Sequence, residues 1–263
     1  MSPRRCCLFQ SAGEARIALL SVPKGSRMLR LISRRIFLCL AGGTVAAPTF
    51  SWASNEVPTL LDHILLGCKD LERGIALVEE RTGVRAAFGG VHPGRGTQNA
   101  LLSLGTRRYL EIIASDPKQS SEPQYPVITK LAEPRLIGWA AHPGDLQSLA
   151  AKLAQSGVAA AGPTAGSRRR PDGRILQWET LTLKKNVANL LPFFIEWSAD
   201  SIHPSEDSTK GCSLVRFEAA TPDPKTLSKQ VALLGLDLPI IKGDNPQLRA
   251  TIAGPKGRFT VTS

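Results

Sequence analysis

The sequence predicts an α+β fold in which a strand, an amphipathic helix and a run of further strands recur three times. Three observations carry this. Apolar runs of strand length are each followed by an aspartate and then by apolar residues at helical spacing. Each helix stops at a glycine, and two short strands with turn residues between them follow. One helix per run of strands favours a mixed sheet over a doubly wound parallel one.

The first unit opens with a strand over 60–68, then Asp70, then Leu71, Ile75 and Val78 on one helical face, closed by Gly83 and Val84. Strands over 99–104 and 108–114 follow, separated by Gly105 and Thr106. The second unit places a strand at 136–141, then Asp145, a helix carrying Leu146, Leu149 and Leu153, a stop at Gly157, and strands over 175–183 and 193–198. The third has a strand at 213–219, Asp223, a helix carrying Leu227, Val231 and Leu234, a stop at Gly235, and strands over 247–253 and 258–262. The aspartates are 75 and 78 residues apart, a period that marks duplicated βαβββ units and not a solenoid of short repeats.

The chain has 263 residues, 42% of them hydrophobic and 21% charged, enough to bury a sizeable core. Its net charge of +11 is unevenly placed. Residues 1–53 hold eight basic residues and one acid, Glu14, which leaves 25 basic against 21 acidic residues for the rest. With aromatics at only 5%, a nucleic-acid surface is not expected.

Residues 1–53 read as a leader. Arg34 and Arg35 precede an uncharged stretch over 36–50 that Gly42, Gly43 and Pro48 interrupt, and Ser51-Trp52-Ala53 offers small residues for cleavage. The stretch is too short and broken for a comfortable bilayer span but suits a signal sequence. It resembles a twin-arginine export signal, which implies a periplasmic protein starting near Ser54 with no stable membrane span after cleavage. An uncleaved inner-membrane anchor is the alternative. Cys68 and Cys212 are the only cysteines beyond the leader, so a cysteine-built zinc site is excluded; two free thiols or one disulfide are both allowed.

Three motifs carry a family resemblance. These are Leu61-Asp62-His63, the segment from Gly90 through His92, Gly94 and Gly96 to Leu101, and Tyr109-Leu110-Glu111-Ile112-Ile113. Gly166 to Gly173, Trp178 and Leu191 to Trp197 extend the match. Together they resemble the glyoxalase-like domain family of the vicinal oxygen chelate superfamily. The resemblance implies two βαβββ modules, about 60–116 and 135–200 within a domain over 54–203, curling into a half-barrel cup. A third, partial repeat over 211–263 packs on the same domain. It leaves the reaction open, because folds of this kind host isomerases, lyases, dioxygenases and non-enzymatic binders.

Carried over residue by residue, the resemblance implies a divalent metal (Zn, Mn or Fe) held by His63, Glu111 and Glu196, with the fourth usual position falling on Gly138. The alternative pairs Glu111 and Glu196 with Arg108 or Arg135 and leaves His63 hydrogen-bonded in the core. Strand alternation puts His63 between Leu61 and Leu65, Glu111 between Tyr109 and Ile113, and Glu196 on the face of Phe194. His92, in a glycine-rich loop, joins Glu111 as a candidate for moving protons. Asn99, Trp139, Trp178 and Arg168 are candidates for holding substrate. Trp197 lines the cup or belongs to the core. Pro171 turns Arg170 away, so Arg168 is the arginine of the 168–170 run expected to face the cup. His142 and His203, each before a proline, read as surface residues. Two functions follow: a metal-dependent lyase or isomerase acting on a small oxygenated or anionic molecule, or a metal-free protein that binds or sequesters one. Either is compatible with a homodimer.

Overall fold

The computed structural model describes residues 56–263; the expected leader over 1–53, with Arg34 and Arg35, lies outside the described residues. Each unit begins as its sequence pattern requires. Strand β1 (Leu61–Gly67) is buried along its whole length and leads to helix α1 (Leu71–Thr82). Asp70 caps α1 by accepting the Arg73 N–H at 2.8 Å. The helix ends at Gly83, whose φ of +82° is comfortable only for glycine. Asp145 and Asp223 cap α2 (Leu146–Gln155) and α4 (Pro224–Leu233) by the same device, accepting from the Ser148 and Thr226 N–H groups. The repeated aspartate is therefore a helix cap used three times.

Module one continues with β2 (Ala87–His92), β3 (Thr97–Gly105) and β4 (Arg108–Ser115). Module two runs β5 (Arg135–Ala141), α2, β6 (Ala160–Arg169), β7 (Ile175–Leu183) and β8 (Phe193–Trp197). Their eight strands form one curled sheet, a half-barrel, in the order β2-β3-β4-β1-β5-β8-β7-β6. β1 and β5 pair antiparallel at its centre, while β1 with β4 and β8 with β5 pair parallel, so the modules mirror each other. Strands β2 and β6 fall where the sequence reads as loop. Gly89 and Gly90 in β2, and Gly162, Pro163 and Gly166 in β6, are tolerated because these are the two edges of the sheet.

A short helix α3 (Pro204–Asp207) follows module two. The third unit, β9 (Ser213–Thr221), α4, β10 (Ile240–Lys242), β11 (Gln247–Gly254) and β12 (Gly257–Thr262), forms its own sheet in the order β10-β9-β11-β12. Here the strand after the helix pairs parallel with β9, whereas β2 and β6 lie at the far edges of their modules. The main core lies on the side of the large sheet covered by helices and the third unit. Trp139 is fully buried there, edge-on to Phe217 with ring centroids 5.3 Å apart. Cys68 and Cys212 are free thiols, and burial pushes the Cys68 thiol up to about 12. Among the described residues no helix is long and apolar enough to cross a membrane.

Candidate functional site

The concave face of the large sheet encloses a cavity of about 260 Å³. Alternation along the strands decides what enters it. His63 projects from β1, Tyr109, Glu111 and Ile113 from β4, Asn99 from β3, and Phe193, Ile195 and Trp197 from β8. Arg168 and Trp178 come from β6 and β7, and His92 from the end of β2.

One departure from alternation organises the polar end. The β1–β5 register slips between Leu61 and His63, a bulge that brings the Asp62 side chain to the same side as its neighbour. Asp62 Oδ1 lies 2.7 Å from Nδ1 of His63, Trp197 Nε1 donates to Asp62 Oδ2 at 3.2 Å, and His203 Nε2 approaches the same oxygen at 3.1 Å. Burial alone would raise this fully buried carboxyl. The hydrogen bonds from His203 and His63 outweigh it and hold Asp62 well below the usual carboxylate range. His203 caps α3 by accepting the Ser205 N–H at Nδ1, which leaves the hydrogen on Nε2, facing Asp62.

With Asp62 taking Nδ1–H, the other nitrogen of His63 faces the cavity, 3.5 Å from Glu111 Oε2. Glu111 Oε1 accepts from Asn99 Nδ2 at 2.6 Å and lies 3.8 Å from His92 Nε2. His63 also stacks on Tyr109, with centroids 4.5 Å apart. His92 holds Thr97 Oγ1 at 2.9 Å through Nδ1. Its pKa falls to about 4: burial is the main cause, Glu111 opposes it, and Arg168 and Arg95 reinforce it. His92 is therefore neutral near pH 7.

Arg168 is 3% exposed. Its guanidinium donates to the carbonyl of Gly89, bridging the two edges of the curled sheet. Among the described residues it has no carboxylate at ion-pair distance, an unusual state for a buried cation. Arg170 pairs with Asp207 at 2.8 Å, and Arg169 donates to the Gly173 carbonyl.

Two expected site residues are elsewhere. Glu196 lies on the opposite face of β8 from Ile195 and Trp197, and its Oε2 accepts the Leu146 N–H at 2.8 Å, at the start of α2. Trp139 donates its indole N–H to the Leu190 carbonyl within the core. His203, expected at the surface, is 2% exposed; His142 is half-buried. Arg108 donates to the Pro58 carbonyl, so Glu111 does not pair with it. Arg95 and Tyr125 also line the cavity; like the Asp62 bulge and His203, they carried no local signal strong enough to mark them beforehand.

The expected metal set does not fit. Glu196 is on the wrong face, and Gly138 has open space where a fourth ligand would stand. Glu111 Oε1 is already occupied by an amide N–H donor. Among the described residues no three His, Cys, Asp or Glu side chains are grouped to hold an ion.

A family profile described as "Glyoxalase-like domain" matches residues 61–235. The chain belongs to the glyoxalase-like domain family. Among solved structures, a hypothetical protein from Staphylococcus aureus is similar to this glyoxalase-like chain, with a TM-score of 0.54, 17% identity, and coverage of 76% of this chain and 84% of that one. That likeness shows the fold. A Streptomyces coelicolor methylmalonyl-CoA epimerase in complex with 2-nitronate-propionyl-CoA matches with a TM-score of 0.41, 20% identity, and coverage of 56% and 99%. Methylmalonyl-CoA epimerase from Mycobacterium tuberculosis matches with a TM-score of 0.38, 21% identity, and coverage of 55% and 90%. No curated protein sequence matches this glyoxalase-like chain.

Proposed function

We propose that this glyoxalase-like protein is a proton-transfer enzyme, of the isomerase or lyase kind, acting on a small oxygenated anion. The observation that carries the reading is the Asp62–His63–Glu111 series, lining one cavity with buried Arg168, which has no acid at ion-pair distance among the described residues. Asp62 fixes the His63 ring and compensates positive charge on it, so Nε2 and the adjacent Glu111 carboxylate are placed to take a proton from a carbon next to a carbonyl or carboxylate. The charge that develops is enolate-like, and Arg168 stabilises it from a site that needs no reorganisation. Asn99 orients Glu111, and neutral His92 accepts from Asn99 at 3.4 Å, keeping that amide in place. The twin-arginine pattern of residues 1–53 supports export to the periplasm, or an inner-membrane anchor if that segment stays uncleaved.

A second reading, a binding or sequestering protein, is favoured by the aromatic side of the cavity. There Trp178 and Trp197 lie 5.4 Å apart beside Phe193. Proton NMR of the purified protein in D₂O, with small 2-oxo, 2-hydroxy and 3-oxo acids, separates the two. Loss of an α-proton signal that His63→Ala and Glu111→Gln both abolish supports the enzyme. Saturable binding without exchange of any α-proton overturns it in favour of the binder.

A further inference from the structure

The anion-binding end of the cavity contains a second arginine. Arg95 follows β2 and lines the same cavity as Arg168. Its Nη1 donates to Gln124 Oε1 at 3.1 Å, and among the described residues it too has no acid at ion-pair distance. Strand β6 fixes where it lies. A Cβ on Gly166 would stand 3.1 Å from Arg95 Nη2 and 2.5 Å from Trp178 Nε1, so only glycine at this position lets both groups lie over the strand. Gly166 and Arg168 are two residues apart and share a face of β6, about 7 Å along the strand. The two guanidinium groups are thus held at neighbouring points of one wall. Glu111 engages neither, being tied to Asn99, and Asp62 is consumed by His63, His203 and Trp197.

We infer that the cavity selects a small dicarboxylate, with one carboxylate on Arg168 next to the proton-handling pair and the second on Arg95. Two guanidinium groups that, among the described residues, hydrogen-bond neutral oxygens and have no acid at ion-pair distance are satisfied by two anionic groups on one ligand, each bound through charge-assisted contacts. The depressed pKa of His92, to which both arginines contribute, agrees with two cations facing this space. A volume of about 260 Å³ accommodates a short carbon chain. The inference rests on Arg168 being the anion-binding group of the proposed function, and it adds the substrate class.

Titration calorimetry of the purified protein at low ionic strength tests it, using malonate, succinate, glutarate and adipate, the matching monocarboxylates, and inorganic phosphate. The expected result is a maximum at one chain length, at least tenfold tighter than its monocarboxylate. Arg95→Gln should reduce that ratio to about one while leaving monocarboxylate affinity unchanged. Equal affinity for mono- and dicarboxylates in the unaltered protein overturns the inference without needing any variant. Phosphate binding tighter than every dicarboxylate also overturns it, as does an Arg95→Gln variant that weakens both ligand types equally. A dicarboxylate preference without α-proton exchange would defeat only the enzymatic reading. Exchange on monoanions without a dicarboxylate preference would defeat only this one.

Discussion

Asp62 and His203 are 141 residues apart, yet His203 Nε2 reaches Asp62 Oδ2 at 3.1 Å. The segment between β8 and β9 delivers His203 as a strap across the cup. Ser201 Oγ accepts the Gln177 N–H of module two, and Ser103 Oγ of module one donates to the Ser205 carbonyl. Asp207 of the same strap pairs with Arg170, just beyond Arg168. The strap therefore links both modules to the carboxylate that orients His63. His203→Ala removes one charge-assisted donor, about 1.5–3 kcal/mol, so kcat/KM should fall roughly 10- to 100-fold. Asp62 should then titrate at higher pH, moving the acid limb of the pH–rate profile upward. A fall in Tm with an unmoved profile would reduce His203 to a structural role.

Asp62→Asn keeps the size of the side chain but removes the charge shared by His63, His203 and Trp197. The rate of α-proton exchange should drop on the order of 10²–10⁴-fold, the usual contribution of a positioned acid–base group. Far-ultraviolet circular dichroism should show an unchanged fold.

Glu196→Gln separates the observed site from a metal site that includes this residue. It weakens a contact to the first N–H of α2, costing about 0.3–1 kcal/mol of stability. Exchange rate and ligand affinity should stay within twofold of the unaltered protein. Loss of a stoichiometric divalent ion together with activity would place Glu196 back in the site.

His92 sets the acid side of the stability curve. Its pKa is lowered from 6.5 to about 4, so between those values the unfolded chain binds the proton that the folded chain refuses. Unfolding free energy is unpenalised above pH 6.5 and falls by about 3 kcal/mol as pH drops to 4. Asp62 acts in a separate window: its stabilisation is present above its ordinary 3.8 and is lost only below it. Urea unfolding of His92→Gln should lose most of the slope between pH 6.5 and 4, the remainder belonging to half-buried His142, whose pKa burial also lowers, and should keep the slope below.

Gly138 stands in β5 opposite Leu65, with open space where a Cβ would be placed. Gly138→Ala should stabilise the protein by about 0.4–1 kcal/mol through the unfolded chain, measured as a higher urea midpoint.

Much of the fold was legible because three helix caps, three glycine stops and three buried first strands recur with one period. The edge strands β2 and β6 were not, since glycine and proline mark a loop unless the neighbouring strand is known. Alternation sorted Phe194 and Glu196 onto one face of β8 but could not say which face lines the cup; Phe193, Ile195 and Trp197 do. A bulge such as that at Asp62 depends on the register with β5, and His203 arrives through a contact too distant in sequence for any local pattern. His63 and Glu111 stood out because titratable groups within apolar strands need partners, Arg168 because Pro171 turns Arg170 away, and Asn99 and Trp178 because they sit in the motifs that carry the family resemblance.

Asp62 holds His63 with Nδ1 protonated toward it and Nε2 turned to the substrate. Long-range proton–nitrogen NMR of ¹⁵N-labelled protein reads this tautomer directly. A protonated Nδ1 and an unprotonated Nε2 are expected, with the pattern becoming mixed in Asp62→Asn. A hydrogen on Nε2 in the unaltered protein would contradict this orientation.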